Sequence, residues 1–260
     1  MTSLPPRPAH DLARLVQAPL TIAGRFGDAS NATLLVHLGP GEPPEIEGIE
    51  ALQADTWAVA KPQAGEAPLW DFPDGTLYGR EVAAFEVDRA LGWGMVPPTV
   101  VREDGPGGLG SLQLFVPHDP SRHFFTLMDE GPDAAVERQI ERMVAFDTII
   151  ENADRKGGHV LVDDDGRLWL VDHGVCFHPS PHLRTVSWHL ADQPVHPDDR
   201  ADAARLADLL TPGAALDLRL RELLGADERA ALRERARRVG SPGSVHPRPT
   251  SQRPMPWPPI

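Results

Sequence analysis

Lysine is almost absent from the sequence. Of its 25 basic residues, 23 are arginines, and the only lysines are Lys61 and Lys156. A GC-rich genome explains this preference for arginine, together with the abundant glycine and proline, and on that explanation the two lysines are accidental. A lysine is nevertheless a compact, rotatable ammonium that arginine does not imitate at a crowded phosphate. The two positions are therefore the first places to look for chemistry.

Cysteine and long apolar runs are also scarce. The single cysteine, Cys176, excludes an intramolecular disulfide and a four-cysteine zinc site, and is typical of a reducing compartment. No run of about 18 apolar residues occurs, and prolines and charges break the first twenty residues, so we expect neither a membrane span nor a signal peptide. These features predict a cytoplasmic protein without an integral membrane segment, whereas peripheral membrane contact stays open.

The charge balance is strongly negative, with 38 acidic against 25 basic residues and a formal charge of -13. No run rich in lysine and arginine supplies the concentrated positive face that nucleic acid binding needs, so nucleic acid is not an expected partner. The acidity and the lack of a basic amphipathic helix also count mildly against permanent attachment to an anionic membrane.

The hydrophobic pattern divides the chain into two parts. Short β-type runs dominate residues 1–117, interrupted by one amphipathic helix from about Gly79 to Leu91. Residues 118–239 are predicted to be mainly helical, with a long helix from Asp133 to about Glu151. The predicted strands are residues 20–23, 32–38, 56–60, 99–102 and 111–116, with a hairpin of 160–162 and 168–171. Residues 240–260 are rich in proline and predicted to be disordered. The simplest packing is an α+β fold of two lobes with a cleft between them.

Two acidic residues occupy positions that suit phosphoryl transfer. Asp154 lies in a polar loop, residues 152–158, directly after the long helix, and Asp172 ends an apolar strand eighteen residues later. A loop and the end of the following hairpin can meet at one edge of a cleft. Phosphoryl transfer needs one carboxylate near the acceptor hydroxyl and another to hold the metal that neutralises the phosphates. Each aspartate alone is more often a turn residue, but the ordered pair favours a catalytic site.

Candidate phosphate contacts lie upstream of these aspartates. Lys61 ends an apolar strand, and either Glu81 or Glu86 on the helix that follows can hold its ammonium in place. A snorkelling surface lysine is the ordinary alternative. Between the first two predicted strands, a turn of small residues offers backbone amides, with Ser30 and Asn31, as weaker candidates.

The sequence does not carry the glycine motifs of the dinucleotide-binding or P-loop folds in the required context. A literal G-x-G-x-x-G occurs at residues 105–110, but a β-type run follows it instead of a helix, which predicts a hairpin loop. The motif G-x-x-x-x-G-K-[ST] is absent, which excludes a P-loop enzyme.

A group of potential metal ligands gives a competing hypothesis. His173, Cys176, His178 and His182 lie close in sequence, next to Asp172, and such residue types bind zinc or iron. Their spacing matches no closed metal site, and two prolines among them predict an irregular loop. A metal-dependent hydrolase built on this histidine cluster is therefore a second interpretation.

In combination, the motifs around Lys61 and the two aspartates resemble the phosphatidylinositol 3-/4-kinase-like branch of the protein-kinase fold. The resemblance is closest to type II phosphatidylinositol 4-kinases and looser to HipA-type kinases, and it extends to an actinobacterial family of kinase-like proteins. It covers about residues 20–190. The segments that carry it are Ala60-Lys61-Pro62, the helix from Gly79 to Phe85, Asn152-Ala153-Asp154-Arg155 and Val171-Asp172-His173-Gly174.

The resemblance implies a two-lobed kinase-like fold and an ATP-dependent phosphotransferase. The acceptor is a hydroxyl of a lipid, a protein or a small molecule, and the metal is Mg²⁺ or Mn²⁺. On this view Lys61 contacts the α- and β-phosphates and Glu81 pairs with it. Residues 113–117 form a hinge, where the backbone groups of Phe115 and Val116 face adenine.

The resemblance also assigns the second set of roles. Asp154 orients or deprotonates the acceptor hydroxyl, and Asp172 holds the metal against the phosphates. His159 stands where the family has a metal-binding asparagine, and imidazole suits Mn²⁺ or Zn²⁺ better than Mg²⁺. A nucleotide-binding pseudokinase that serves as a regulatory scaffold is therefore a further alternative. Lys156 lies two residues after Asp154, where a cation neutralises the transferred phosphoryl group.

Overall fold

The computed structural model describes residues 12–27, 31–46, 48, 52, 56–249 and 253–260. The first part of the molecule is an antiparallel sheet with one long helix. Its first elements are helix α1 (Leu12–Gln17), strands β1 (Leu20–Arg25), β2 (Leu34–Leu38) and β3 (Trp57–Pro62), helix α2 (Leu77–Leu91), and strands β4 (Thr99–Gly105) and β5 (Gly108–Leu114). The strands form one sheet in the order β1-β2-β3-β5-β4, and every neighbouring pair is antiparallel.

The second part is mainly helical. It consists of α3 (Phe124–Glu130), α4 (Ala134–Ile150), the hairpin β6 (Val160–Val162) and β7 (Leu168–Leu170), α5 (Pro197–Leu209), α6 (Ala215–Leu220) and α7 (Ala226–Val239). The predicted α+β class, with a β-rich first lobe and a helical second lobe, is confirmed. None of the described helices combines the length and apolar character needed to cross a membrane.

The two long helices begin and end where local signals place them. The side chain of Asp133 accepts hydrogen bonds from the first amides of α4, each at 2.9 Å, as an N-cap does. Gly92 ends α2 in the left-handed region, with φ of 77°. Helices α1 and α3 were not predicted, because six or seven residues span less than two turns and show little periodicity.

One large core joins α2 of the first lobe to the helices of the second lobe. Val87 of α2, Phe146 and Ile149 of α4, and Leu232 of α7 belong to it and have no exposed surface. Burying a side chain of this size stabilises the fold by about 1.5–3 kcal/mol. A smaller core beneath the sheet includes Val36 and other residues of β2, β3 and β5. Because α2 belongs to the large core, its polar residues are held in a fixed position relative to α4 and the loop after it.

Strand β5 passes very close to β3 at Gly110. The residues of the glycine motif form the β4–β5 hairpin, as predicted, and Gly110 pairs with Pro62. A Cβ added to Gly110 would lie 2.5 Å from the carbonyl oxygen of Lys61 and 2.7 Å from the Cα of Pro62. Both neighbours are backbone atoms of a central strand, so neither moves aside without disturbing the sheet.

Replacement of Gly110 by alanine is therefore expected to lower the free energy of unfolding by about 1–3 kcal/mol, the usual cost of overpacking. Urea unfolding of the variant against the unmodified protein measures the difference. The matched control is Gly24→Ala in β1, where an added Cβ has no neighbour within 4 Å. Equal stability of the two variants would contradict this account of the β3–β5 contact.

The proline-rich segment differs from its prediction. The described residues between 240 and 260 are bonded to the second lobe: the amide of Val195 donates to Ser244, and the amide of His246 donates to Gln193. The side chain of His246 is 2% exposed. The prediction of disorder is wrong here. It rested on the lack of a periodic apolar pattern, but the carbonyl groups of a proline-rich chain still accept hydrogen bonds.

Candidate active site

Lys61 at the end of β3 lies between two carboxylates. Its Nζ donates a hydrogen bond to Oδ1 of Asp172 at 2.7 Å and another to Oε1 of Glu81. Glu81 is buried on α2, and its Oε2 accepts the amide of His173 at 2.9 Å. This glutamate therefore connects β3 to the chain that follows β7. Of the two glutamates left open by the sequence, the structure pairs Glu81 with Lys61.

Glu86, the other glutamate considered, faces away from this group. Its Oε2 accepts hydrogen bonds from Arg89 at 2.7 Å and from Arg219 at 3.1 Å. Both arginines are about half exposed, so Glu86 takes part in a surface contact between α2 and α6.

The charges of Lys61, Asp172 and Glu81 shift one another's pKa values. Burial acts against the charge of Lys61, but the carboxylates of Asp172 and Glu81 outweigh it and raise the pKa of the ammonium. Partial burial likewise opposes the charge of Asp172, yet Lys61 holds the pKa of that carboxyl well below its ordinary value. For Glu81, burial prevails and raises the pKa. The site thus contains a fixed ammonium beside an ionised and half-exposed Asp172.

Asp154 and Lys156 form a second charged pair in the loop after α4. The Nζ of Lys156 lies 3.5 Å from Oδ2 of Asp154, and the amide of Asp154 donates to Oδ1 of Asn152 at 2.9 Å. Burial raises the pKa of Asp154 to about 6, with a further contribution from Asp172, while Lys156 acts in the opposite direction. The pKa of Asp154 is thus closer to neutral pH than that of an ordinary aspartate.

His159 completes the group by contacting Asp172. Its Nε2 lies 3.2 Å from Oδ2 of Asp172, and its Nδ1 is buried without a hydrogen-bond partner among the described residues. Burial lowers the pKa of His159 to about 4; the nearby Arg155 and Lys61 act in the same direction, and Asp172 opposes them. The imidazole is therefore neutral at pH 7 and retains a lone pair.

The donor set fits a divalent metal that takes its remaining ligands from a nucleotide. Within the described residues no group of three or more His, Cys, Asp or Glu side chains is arranged to hold a metal ion. Asp172 and His159 nevertheless place an ionised carboxylate next to a neutral imidazole. Mg²⁺ is commonly bound through one or two carboxylates together with phosphate oxygens and water, and imidazole suits Mn²⁺ as well.

The hypothesis of a metal-dependent hydrolase is wrong, because no three His, Cys, Asp or Glu side chains of the described residues are arranged to hold a metal ion. His173 and Cys176 have no exposed surface, and Nε2 of His173 lies 2.9 Å from Nη2 of Arg155. The rings of His178 and His182 stack on each other at 3.6 Å instead. The cluster, all of which lies in the described part of the chain, therefore offers no closed set of ligands for a hydrolase.

Four of the five hinge residues, 113–116, are buried, and the peptide unit between Phe115 and Val116 is left for a ligand. The amide of Phe115 donates to the carbonyl of Trp57 at 2.9 Å, and the carbonyl of Val116 lies 2.7 Å from Nδ1 of His118. Within the described part of the chain, the carbonyl of Phe115 and the amide of Val116 form no hydrogen bond. These two groups belong to one trans peptide unit and point in opposite directions, so only one of them can face the edge of an adenine ring.

The glycine turn between β1 and β2 is described only in part. Ser30 lies outside the described residues. The side-chain oxygen of Asn31 accepts a hydrogen bond from the amide of Ala67 at 2.7 Å, so it links the turn to the segment after β3. A nucleotide contact by either residue stays a prediction.

A buried ion pair beneath the loop was missed by the sequence analysis. Nε and Nη2 of Arg155 donate to the two oxygens of Asp147 on α4, both at 2.9 Å. The remaining Nη1 donates to the carbonyls of His159 and Val171 at 3.2 and 3.0 Å. Arg155 therefore ties the loop of Asp154 to the residue preceding Asp172. A charged residue within the apolar stretch of α4 was the only sequence signal for this network.

The charged residues of the site occur in a recognisable order. A lysine on the third strand pairs with a glutamate on the next helix, an aspartate lies in a loop after a long helix, and another lies at a strand end, an order that resembles the arrangement in kinases. They lie here in a two-lobed, protein-kinase-like fold.

Comparison with known proteins gives the family. No protein-family profile matches the chain. Protein Rv2133c of Mycobacterium tuberculosis (strain H37Rv) is 39% identical over 276 residues, covering 95% of this chain and 94% of that protein. The chain belongs to the same family as Protein Rv2133c.

More distant similarity links the chain to plant kinases. Phosphatidylinositol 4-kinase gamma 4 of Oryza sativa subsp. japonica is 31% identical over 148 residues, which covers 50% of this chain and 25% of that kinase. Its namesake in Arabidopsis thaliana is 33% identical over 134 residues, covering 42% and 23%. The alignments thus span about a quarter of each plant kinase. The crystal structure of the Helicobacter pylori proinflammatory kinase CtkA superposes with a TM-score of 0.48 and 12% identity, covering 86% of this chain and 92% of that one.

Proposed function

We propose that the protein is an ATP-dependent kinase of the phosphatidylinositol 3-/4-kinase-like type, which transfers the γ-phosphate to a hydroxyl group. The observation that carries the proposal is the position of Lys61 between Glu81 and Asp172, with Asp154 and Lys156 as a second charged pair. The partial similarity to plant phosphatidylinositol 4-kinases supports the same branch of kinases. The acceptor is a lipid, a protein or a small molecule.

The first lobe binds the nucleotide in this proposal. Lys61 neutralises the α- and β-phosphates while Glu81 keeps its ammonium in place. One group of the peptide between Phe115 and Val116, the carbonyl or the amide, pairs with adenine. Such contacts position the γ-phosphate toward the second lobe, and positioning is the larger part of catalysis in this reaction.

The second lobe acts on the acceptor. Asp154 accepts a hydrogen bond from the acceptor hydroxyl and takes its proton as the acceptor oxygen forms a bond to the γ-phosphorus. The bond between that phosphorus and the bridging oxygen breaks, and ADP leaves. Lys156, next to Asp154, neutralises the charge on the transferred group.

Asp172 and His159 would hold Mg²⁺ or Mn²⁺, which when bound neutralises the charge of the phosphates. Lys61 also faces Asp172. The neutral state of His159 matters for this role, because a protonated imidazole has no lone pair to offer.

The activity is tested with γ-labelled ATP and either Mg²⁺ or Mn²⁺, using inositol lipid vesicles, casein and glycerol as separate acceptors. We expect label transfer or ATP turnover that falls about 100- to 10,000-fold in Asp154→Asn, the range for loss of a general base. The matched control is Asp129→Asn at an exposed position of α3, which should retain full activity. ATP that raises the melting temperature without turnover under any metal would favour the pseudokinase instead.

The pH dependence of turnover should report Asp154. Because burial raises the pKa of this carboxyl to about 6, the proton-accepting form is present above pH 6 and lost below it. Turnover is therefore expected to rise through about pH 6 and then level off. In Lys156→Met the midpoint should move to higher pH, since the cation that stabilises the carboxylate is gone. An unchanged midpoint in this variant would show that another group controls the profile.

A further inference from the structure

Residues 253–260, called the proline segment below, lie against the catalytic loop. The carbonyl oxygen of Pro259 accepts a hydrogen bond from the amide of Gly157 at 2.7 Å. Gly157 directly follows Lys156 and is three residues beyond Asp154. The segment is therefore bonded to the same short loop that carries both groups proposed to act on the acceptor.

A second contact fixes the other end of the proline segment. The carbonyl of Pro254 accepts hydrogen bonds from Nε1 of Trp188 at 2.8 Å and from the amide of Thr185 at 3.2 Å. The chain around Thr185 is itself paired with the catalytic loop, because the amide of Arg155 donates to the carbonyl of Arg184 at 3.0 Å. Both ends of the segment are thus connected to the loop. Pro259 bonds to it directly, and Pro254 bonds to the chain around Thr185, which in turn bonds to the loop.

The proline segment is chemically suited to this surface. Its prolines have carbonyl acceptors but no N–H donors, and the three groups that it meets are all donors. Pro256 is buried and Pro254 and Pro259 are half-buried, whereas Pro258 is exposed and Met255 and Trp257 are 45% and 88% exposed. Three of the four prolines therefore face the protein, and the two large side chains between them do not.

We propose that the proline segment is a positioning element that holds Asp154 and Lys156 in the arrangement needed for phosphoryl transfer. The inference rests on the proposed function of these two residues. Without the segment, the amide of Gly157 loses its acceptor and the loop gains freedom, and small displacements of catalytic groups cost up to about 100-fold in rate. The hydrogen bonds of Lys61 go to Glu81 and Asp172 and not to the segment, so nucleotide binding should be unaffected.

The test compares the full chain with one that ends at Gln252. In the shortened chain we expect faster amide hydrogen exchange over residues 154–159, a kcat about 10- to 100-fold lower and an unchanged KM for ATP. The synthetic octapeptide of residues 253–260, added in trans, should restore slow exchange and turnover, whereas a scrambled peptide should not. Unchanged exchange, or turnover equal to or higher than in the full chain, would overturn the proposal.

A milder variant covers the case in which the shortened chain does not fold. Trp188→Phe removes the indole donor to Pro254 and keeps a smaller aromatic ring. Its matched control is Trp169→Phe, whose indole donates to Asp163 at 2.9 Å within the β6–β7 hairpin. Faster exchange over residues 154–159 and a lower kcat in the first variant alone are expected, and equal behaviour of the two would refute the inference. If the full chain shows no turnover, the proposed function fails, while the exchange measurement still decides whether the segment holds the loop.

Discussion

Replacement of Asp172 by asparagine should reduce phosphoryl transfer about 1,000-fold, at the upper end of what a single electrostatic contact contributes, and leave the fold intact. Asp172 is the residue on which Lys61 and His159 converge, at 2.7 and 3.2 Å. Asparagine keeps the size of the side chain and removes its charge. The variant therefore loses the anion that would hold the metal, and it retains an oxygen that Lys61 can still contact.

The backbone conformation at this position accommodates asparagine. Asp172 has a φ of 60°, in the left-handed region that asparagine adopts more readily than most residues. Thermal unfolding should consequently show a stable protein, and the loss of activity is then assigned to chemistry. The matched control is Asp164→Asn, an exposed residue of the hairpin turn just upstream. Turnover within tenfold of the unmodified protein would remove Asp172 from the metal site.

The parts of the fold that could be predicted are those with signals local in sequence. Asp133 marks a helix start through its side chain and Gly92 marks a helix end through its backbone conformation, and the glycine motif forms a hairpin because a strand follows it. The Lys61–Glu81 pair needed more than spacing, since Glu86 fitted the pattern equally well. The pair was selected by resemblance, and the geometry agrees with that selection.

The features that escaped prediction depend on partners distant in sequence. Pro259 and Gly157 are about a hundred residues apart, so no composition rule reveals that one accepts the amide of the other. His173 and His178 are only five residues apart, yet one is buried against Arg155 and the other stacks on His182. Closeness in sequence was therefore a poor guide to the histidines, and a bias toward proline was a poor guide to order.

The scarcity of lysine has a physical counterpart in the site. Arg155 uses a planar guanidinium to bind both oxygens of Asp147 and two carbonyls at once, which an ammonium cannot do. Lys61 instead inserts a single nitrogen between two carboxylates. Genome bias explains why lysine is rare. The geometry explains why arginine suits position 155 and lysine suits position 61.

The Asp147–Arg155 pair should be the most sensitive point for stability. Neither side chain has appreciable exposed surface, at 1% and 0%, so removal of one partner leaves a buried charge unpaired. Arg155→Met is expected to lower the free energy of unfolding by about 3–5 kcal/mol. Since whole domains are stable by about 5–15 kcal/mol, this variant is close to the limit of folding, and its urea midpoint should be far below that of the unmodified protein.

Two comparisons decide whether the buried charge is the cause. Arg237→Met breaks the exposed pair with Glu234, whose side chains are 63% and 56% exposed, and should cost about 0–1 kcal/mol. In the double variant Asp147→Ala with Arg155→Met no unpaired charge remains, so it should unfold at a higher urea concentration than Arg155→Met alone, despite one further truncated side chain. If the double variant is instead destabilised by the sum of the two single effects, the cost arises from lost packing and carbonyl contacts, and the ion pair itself does not hold the catalytic loop in place.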